Sequence, residues 1–399
     1  CTPSSADNVV IQNNHNVTIE SANEECNNLS IGQGSNGSLV FDTNTDRFLY
    51  VFGDVIVNSG AELSVDPGST ATHRIYLSGD LTNNGILELN ADGNSRARVY
   101  FTKTDGDQIV SGSGASTGFY AIDLNKGVQA NTVEITSSNF SCDPDALSFS
   151  GAGTFKFSSS GANTFSLSSN DLTVPANGHI WMNSSSSTMN FGADLNLQGK
   201  FTLEDGTVNI GDANNENLVS YGGDLFVNGG ILNIAGRFDR LNAQTISQFY
   251  QTSGDVVVPA IGSTSTSRPP FGMDVVGSRM TVSGGSIIIA EEGGSGGQNL
   301  GYTTSGVSNS IITGGVLQIG NATTPAGQTV LINARADVGE LLFASANITG
   351  QLTGNDLNVL GDVTIGPGVL VDNGFNIDLA GDWSVTTGSY TSTNPSLVS

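Results

Sequence analysis

Two closely spaced pairs of carboxylates are the residues best suited in this sequence to acid–base chemistry: Asp105 with Asp107, and Asp143 with Asp145. Most enzymes that hydrolyse polysaccharides place a pair of Asp or Glu side chains around the scissile bond. Both pairs here lie in turn-like stretches, TDGDQ and CDPDA. Asp is favoured in turns because its side chain accepts backbone N–H groups. We therefore predict a structural role for these four carboxylates.

The other elements of a polysaccharide-cleaving site are sparse. Asn44-Thr45-Asp46 resembles one element of such a site, but the sequence has no Asp-Asp pair and no Arg-Ile-Lys element. His179 follows a glycine, yet Ile180 stands where a second glycine is expected. The three histidines, His15, His73 and His179, are scattered, and we expect all of them at the surface. No Gly-x-Ser-x-Gly elbow lies between a strand and a helix. We assign no catalytic residue and predict that the protein is not an enzyme.

Metal and cofactor sites are weakly indicated. Calcium prefers Asp- and Asn-rich turns, and the chain has three of them: DTNTD (42–46), TDGDQ (104–108) and GDANNEN (211–217). None matches an EF-hand loop or a calcium-roll repeat, so structural calcium stays an alternative and no cofactor is predicted. GGSGGQNLG (293–301) lacks the Lys-Ser/Thr ending of a phosphate loop and is interpreted as a flexible loop.

The cysteines and tryptophans add two structural expectations. Cys1 and Cys26 flank a short strand-rich segment and could form a disulfide in an extracellular protein, whereas Cys142 has no evident partner. No Cys-x-x-Cys or Cys/His cluster is present, so a zinc site is not expected. Trp181 and Trp383 could stack on sugars, but packing against the core or its flank is the stronger expectation.

Composition and charge define a β-rich, acidic chain. The 399 residues include 52 Gly, only 10 Pro and 37% hydrophobic residues, and no window has the Ala, Leu, Glu and Lys content of a long helix. Thirteen Lys and Arg face 37 Asp and Glu, which gives a net charge of −24. This charge repels phosphate backbones, anionic membranes and uronic-acid polymers, so no nucleic-acid partner is expected. No apolar run is long enough for a membrane span.

A short motif, called the Gly-Asp phrase below, recurs along the chain. It consists of an apolar residue, Gly-Asp, and then a predicted strand in which apolar and polar residues alternate. It occurs at Gly53-Asp54, Gly79-Asp80, Gly223-Asp224, Gly361-Asp362 and Gly381-Asp382, with Gly192-Ala193-Asp194 as a variant. A Gly-containing turn and a second alternating strand follow several copies: NSGAELSV (58–65), NNGILEL (83–89), EDGTVNI (204–210), NGGILNI (228–234), SGGSIII (283–289), TGGVLQI (313–319) and GPGVLV (366–371). Successive units follow one another at irregular intervals, within the range of periods that is typical of solenoid proteins.

These units predict an all-β fold, a parallel β-helix or β-solenoid rod. Each strand has one apolar face, and only stacked copies can bury that face in a continuous core. The alternative is a series of tandem β-sandwich domains, which would show hairpin turns at regular spacing and a more aromatic core. We predict one continuous solenoid over residues 1–399, a piece of a longer chain. The segment 241–310, which contains RPPFGMDVVG and EEGGSGGQNLGY, is predicted to be irregular with projecting loops.

Three runs resemble the repetitive regions of giant cell-surface adhesins of the Bacteroidota: residues 2–41, LSGDLTNNGILEL (77–89) and LAGDWSVTTGSYTS (379–392). The most specific match is SGGSIIIAEEGGSGGQNLGY (283–302) followed by TGGVLQIGNATTPAGQTVLIN (313–333). The gliding-motility adhesin is the best-known example of this family. The resemblance implies export by the type 9 secretion system and a surface-exposed filament within a much larger polypeptide.

The leading expectation is therefore a structural and adhesive segment of a secreted cell-surface filament, used for surface attachment or gliding motility. It would be located outside the cell, and its partners would be an extracellular surface or polysaccharide and other surface or motility proteins. The alternative of a different class is a carbohydrate-active β-helix enzyme, a polysaccharide hydrolase or lyase. A third interpretation is the passenger fibre of a phage or an autotransporter.

Overall fold

The computed structural model of the chain describes residues 3–41, 44–68, 70–91, 94–294, 297–393 and 398. All regular secondary structure in these ranges is β-strand, and none of them contains a helix. The described residues therefore contain no helix that is long and apolar enough to cross a membrane. The all-β prediction is confirmed.

The chain forms two compact units. Unit 1 comprises the residues up to Ser169 together with Asn177–Asn190, and unit 2 comprises Asn170–Ala176 together with the residues from Phe191 onward. Each unit is a β-solenoid with its own stacked strands and its own apolar interior. The prediction of one continuous solenoid over residues 1–399 stays a prediction.

Unit 1 has three parallel sheets. Sheet 1 contains β1 (Val9–Ile11), β4 (Leu29–Ile31), β7 (Val55–Val57), β10 (Leu81–Asn83), β13 (Gln108–Ser111), β16 (Thr132–Ile135), β19 (Gly153–Phe157) and β22 (Gly178–Phe191). Sheet 2 contains β2 (Asn16–Thr18), β5 (Ser38–Phe41), β8 (Glu62–Val65), β11 (Ile86–Glu88), β14 (Ser116–Phe119) and β17 (Phe140–Cys142). Sheet 3 contains β3 (Asn23–Cys26), β6 (Phe48–Val51), β9 (Thr72–Leu77), β12 (Arg96–Phe101), β15 (Ala121–Leu124) and β18 (Leu147–Phe149). Unit 1 also contains β20 (Thr164–Ser168).

Unit 2 also has three main sheets. Sheet 4 contains β21 (Leu172–Val174), β23 (Leu195–Leu197), β25 (Leu218–Ser220), β28 (Phe238–Arg240), β31 (Phe271–Gly272), β34 (Tyr302–Thr303), β37 (Gln328–Asn333), β39 (Ile348–Leu352), β42 (Val369–Val371) and β45 (Ser389–Thr391). Sheet 5 contains the first half of β24 (Lys200–Ile210), β26 (Asp224–Val227), β29 (Gln248–Gln251), β32 (Ser278–Val282) and β35 (Val307–Ile312). Sheet 6 contains the second half of β24, β27 (Ile231–Ile234), β30 (Asp255–Val258), β33 (Ser286–Ile289), β36 (Val316–Ile319), β38 (Glu340–Phe343), β41 (Val363–Ile365) and β44 (Trp383–Val385). A short pair, β40 (Leu357–Val359) with β43 (Ile377–Leu379), completes the unit.

The strand register confirms the solenoid. Every described pairing between these strands is parallel and joins residues one coil apart, from the short coil at Val9↔Leu29 to the long coil at Phe238↔Phe271. Antiparallel pairing is limited, within the described ranges, to isolated bridges such as Asn90↔Arg96. Sandwiches need antiparallel hairpins, so the sandwich alternative is wrong.

Apolar side chains stack in columns inside each unit. In unit 1 one column on sheet 1 contains seven side chains, each at most 3% exposed: Leu29, Val55, Leu81, Val110, Ile135, Phe157 and Met182. In unit 2 a column on sheet 6 contains Val208, Leu232, Val256, Ile287, Leu317, Leu341 and Val363. Each such side chain stabilises the fold by roughly 2 kcal/mol when it leaves water. One coil alone would expose this face, so the coils depend on one another.

Long coils lie in the segment 241–310, where the register steps from Asp255 to Ser286 and then from Ser286 to Val316. The connection 259–270 between β30 and β31 accounts for part of this length. It is held against sheet 4, because Arg268 forms an ion pair of 3.0 Å with Asp239 of β28, whose side chain is only 6% exposed. The parallel ladder continues through this segment, with a register shift between Ser278 and Arg279 where β32 pairs with β35. That its loops project from the coils stays a prediction.

The glycine of the Gly-Asp phrase is required by close contact between coils. A Cβ atom on Gly79 would lie 2.3 Å from the carbonyl carbon and oxygen of Gly53, the equivalent glycine one coil earlier. A Cβ atom on Gly381 would meet the carbonyl of Gly361 at 2.5 Å. Backbones approach too closely here for any side chain.

We predict that Gly79→Ala lowers the free energy of unfolding by about 2 kcal/mol or more, because the added methyl group overlaps backbone atoms that cannot move aside. The matched control is Gly106→Ala, whose Cβ would meet only the Lys103 side chain at 3.5 Å. That change should stay within about 0.5 kcal/mol. Urea unfolding measures both, and equal effects would contradict the stacking explanation.

Candidate functional site

In the first predicted carboxylate pair, Asp105 with Asp107, one of the two side chains accepts a hydrogen bond from the backbone. One oxygen of Asp107 accepts the N–H of Thr132, the residue that begins the next strand of sheet 1, at 2.7 Å. Asp105 is exposed in the turn beside it. The pair lies on the connection between β12 and β13, and the Lys103 ammonium donates to the Asp107 carbonyl at 3.2 Å.

In the second pair, Asp143 and Asp145 each accept hydrogen bonds from a different residue. Both oxygens of Asp143 accept the side-chain amide of Asn90 at 2.6 Å. Asp145 has a left-handed backbone (φ 67°), and its carboxylate accepts the backbone N–H and the hydroxyl of Ser169 at 2.8 and 2.7 Å. These carboxylates therefore act as hydrogen-bond acceptors between coils.

The Asp of the Gly-Asp phrase has the same role, as the sequence predicts, but its donor comes from the next coil. The side-chain oxygen of Asn28 accepts the N–H of Asp54 at 2.8 Å, and Asp54 in turn accepts the N–H of Asp80 at 2.8 Å. Asp80 continues the row by accepting the N–H of Ile109 at 2.9 Å. Each side chain thus satisfies a backbone donor at a corner where the sheet ladder is interrupted.

Unit 2 repeats this arrangement with one exception. Asp362 accepts the N–H of Asp382 at 2.8 Å. Asp224 differs because it lies inside β26, beside Lys200 in the register, and burial raises its pKa. The Gly-Asp phrase therefore marks a corner at most of its copies and the start of a strand at Gly223-Asp224.

We predict that Asp80→Ala destabilises the protein by about 1 kcal/mol, because the Ile109 N–H loses its acceptor. Asp80→Asn is the matched control, since it keeps the acceptor oxygen and removes only the charge, and it should cost less than about 0.5 kcal/mol. Thermal unfolding with and without a calcium chelator compares the two variants. A loss of stability on chelation that Asp80→Asn abolishes would show instead that the carboxylate binds calcium.

Metal ligands do not converge in the described structure. In the residues described, no three His, Cys, Asp or Glu side chains come close enough to hold a metal ion. In DTNTD (42–46), residues 42 and 43 lie outside the described residues, while Asp46 accepts the N–H of Thr72 at 3.1 Å. In GDANNEN (211–217), Glu216 accepts the N–H of Ala213 at 2.7 Å and so closes a local turn.

The histidines correct one expectation. His15 is exposed, as predicted, but His73 and His179 are buried. His73 takes an inward position of β9 and stacks on Phe41 with ring centroids 4.8 Å apart. His179 is the second residue of β22, and its ring centroid lies 5.7 Å from that of Trp181. The surface prediction is wrong for His73 because strand alternation places it on the same side as Ile75 and Leu77. It is wrong for His179 because Trp181 and Thr154 cover the imidazole on the side of β22 opposite Ile180.

The tryptophans lie at the flanks of the core, whereas Cys26 lies within it. Trp181 is half-buried with the ammonium of Lys156 4.6 Å above its ring, and Trp383 is half-buried against Tyr390. Cys26 is buried, burial raises the pKa of its thiol to about 11, and no described residue forms a disulfide with it. Cys1, its predicted partner, lies outside the described residues.

A buried lysine lies inside unit 1, where sequence reasoning does not expect a charge. Lys126 is fully buried, and its ammonium donates to the side-chain oxygen of Gln108 at 2.6 Å. The Gln108 amide donates to the carbonyls of Leu77 and Gly79 at 3.0 and 2.6 Å. Burial, together with the charge of Lys103, lowers the pKa of Lys126 to about 8.

This lysine makes stability depend on pH. The unfolded chain binds the Lys126 proton up to about pH 10.5, whereas the folded chain releases it near pH 8. Because the unfolded state binds more protons between these values, the stability of the folded state rises with pH across that window. Below pH 8 both states are protonated, so the contribution is constant there.

We predict that, between pH 7 and pH 10, the unfolding free energy of the natural protein rises by about 2–3 kcal/mol relative to that of Lys126→Met. The comparison isolates Lys126, since both proteins keep the same thiols and tyrosines. Urea unfolding at several pH values supplies the measurement. A difference between the two proteins that does not change with pH would contradict the effect of burial on this amine.

Outward-facing aromatic and cationic side chains form the most distinctive surface of unit 1. We call it the tyrosine–arginine face, and it consists of outward residues of β6, β9 and β12: Tyr50, Tyr76, Tyr100, Arg74, Arg96 and Arg98. The three tyrosines are register partners on successive strands. Their ring centroids are 4.7 Å apart, with interplanar angles of 8° and 13°. Burial and the two flanking phenols raise the pKa of Tyr76.

The arginines of this face lie in register beside the tyrosines. Arg74 and Arg98 are partners on neighbouring strands, and the Arg74 guanidinium lies 4.9 Å from the ring centroid of Phe48. Arg96 lies 4.8 Å from the ring of Tyr120. Sequence reasoning missed this face, because the interval from Tyr50 to Tyr76 differs from the interval from Tyr76 to Tyr100 and no fixed repeat aligns them.

A shorter arrangement of the same kind occurs in unit 2. Phe226 and Tyr250 stack on sheet 5 with centroids 4.5 Å apart, and the Lys200 ammonium covers the free side of Phe226 at 4.5 Å. Beside them a groove is lined by Tyr221, Gln244, Ile246, Gln248 and Arg279.

Comparison of the chain with protein-family models, with curated proteins and with solved structures gave no match.

Proposed function

We propose that this chain is a structural and adhesive segment of a large secreted cell-surface filament that serves surface attachment or gliding motility. The observation that carries the proposal is the combination of an in-register parallel ladder with repeating side-chain rows on its outer faces. The sequence resemblance to the giant adhesins of the Bacteroidota supports the extracellular location and the type 9 secretion route.

The backbone ladder supports a mechanical role. Six successive coils of unit 1, from β1–β3 to β16–β18, each contribute one strand to each of three parallel sheets. Within a sheet, a strand is hydrogen-bonded to the strands of the neighbouring coils. A load applied to one coil is therefore divided among several hydrogen-bonded strands. The side-chain acceptors of Asn28, Asp54 and Asp80 extend the bonding around the corners.

The outer rows support an adhesive role. A residue type that recurs at one register position forms a row with one copy for each coil, spaced by about 4.8 Å. Such rows suit a ligand that is itself repetitive, such as an extracellular polysaccharide. Aromatic and arginine side chains are also the types that contribute most to binding energy at protein interfaces.

We predict that the purified chain is retained under flow on polysaccharide-coated beads and on bacterial surfaces. A globular protein of equal negative charge is the control for non-specific retention. Antibodies against the chain should label intact host cells, because the segment is proposed to be outside the cell. Failure of both retention and surface labelling would contradict the proposal.

The alternative, a carbohydrate-active β-helix enzyme, makes a different prediction in the same experiment. An enzyme would release reducing ends or unsaturated products from at least one member of a polysaccharide panel during incubation with the chain. Adhesion predicts retention on the polymer without any such product.

A further inference from the structure

We propose that the tyrosine–arginine face binds an acidic polysaccharide, a polymer whose sugars carry carboxylate or sulfate groups. This inference rests on the proposed adhesive function and names its ligand class.

The first argument is the concentration of positive charge. The whole chain has 13 Lys and Arg and a net charge of −24, yet three of these cations lie on the outward side of two neighbouring strands, β9 and β12. Charges beyond about 8 Å are largely screened at physiological ionic strength. A ligand that touches this face therefore senses the three arginines more strongly than the distant carboxylates.

The second argument is that the arginines lack close counterions. Arg74 and Arg98 are direct register partners, an arrangement in which like charges repel. Across the described ranges, the only carboxylate within 4.0 Å of the three guanidiniums is that of Asp46, at 3.9 Å from Arg74. Arg98 donates to the Ser148 hydroxyl at 3.0 Å and Arg96 to the Thr72 hydroxyl at 3.2 Å. An anion lying across Arg74 and Arg98 would relieve the repulsion and could accept paired hydrogen bonds from each guanidinium.

Two acidic residues end the tyrosine row and limit where the anion can lie. Glu25 is the register partner of Tyr50 at one end, and Asp123 is the partner of Tyr100 at the other. Asp123 accepts the hydroxyl of Ser148 at 2.8 Å and also the hydroxyl of Ser150. The acidic groups of a ligand are therefore expected over the arginine row, with neutral sugar hydroxyls over the tyrosine row.

The third argument is the way in which the tyrosines are presented. Because Tyr50, Tyr76 and Tyr100 stack on one another, the faces of the middle ring are covered and the ring edges and phenol groups point outward. No described residue forms a hydrogen bond with these three phenol oxygens. Nucleic-acid strands bind by stacking bases on open aromatic faces, which this row does not offer. A row of hydroxyl groups with the coil spacing suits the hydroxyl groups of a sugar chain.

The test measures the affinity of the whole chain for polygalacturonate, a uronic-acid polymer, and for neutral dextran at low and moderate salt. The variant is Arg74→Gln with Arg98→Gln, which keeps polar side chains and removes the repelling charges. The matched control is Lys103→Gln with Arg335→Gln, two cationic residues outside both aromatic surfaces that cause the same change in net charge.

We expect polygalacturonate to bind, salt to weaken the binding, and the Arg74/Arg98 variant to lose about tenfold or more in affinity. The Lys103/Arg335 control should stay within about twofold of the natural protein. Tyr76→Phe, which keeps the ring stack and removes one hydroxyl, should weaken binding less than the double arginine change.

Three outcomes would overturn the inference: preference for dextran over polygalacturonate, equal affinity for single-stranded DNA, or an equal loss in both arginine variants. None of these three outcomes contradicts the adhesive function, provided that the chain is retained on polysaccharide or cell surfaces. A chain that is retained on no polymer and no surface contradicts the adhesive function as well.

Discussion

In-register parallel stacking is the constraint on which the rest of this structure depends. Paired residues of successive strands lie one above the other, about 4.8 Å apart, and the pairing of β32 with β35 contains a register shift. The apolar columns are its first consequence, because Leu29, Val55 and Leu81 bury one another although each belongs to a different coil. The Gly-Asp corners are its second consequence, since Gly53 and Gly79 approach too closely for a side chain.

The same constraint decides what the acidic residues do. A chain with 37 carboxylates could place several of them around a catalytic cleft. Several of the described carboxylates accept a backbone N–H from the next coil instead, as Asp54 and Asp107 do. A carboxylate oxygen that accepts a backbone N–H is less available for proton transfer or metal binding, because one of its lone pairs is already used. Some of the acidic side chains therefore help to hold neighbouring coils together.

Stacking also turns isolated surface residues into rows. Tyr50, Tyr76 and Tyr100 come from three coils and form one stacked series, and Arg74 lies beside Arg98 despite their like charge. Net charge alone argues against any acidic ligand for this chain. The local arrangement favours an acidic ligand. At contact distance the three guanidiniums have a stronger effect than the net charge of all 399 residues, because distant charges are screened.

The class of fold follows from the amino-acid sequence alone. Alternation of apolar residues defines the strands, and the repeated Gly-Asp and Gly-turn phrases define the corners, because both signals are local and survive changes in coil length. Which residues become neighbours is a property of the assembled coils. Coil length varies widely, from the step Val9↔Leu29 to the step Phe238↔Phe271. No constant spacing therefore aligns Tyr50 with Tyr100 or places Lys126 beside Gln108. The burial of His179 likewise depends on the assembled coils, because its imidazole lies against Thr154 of the preceding coil.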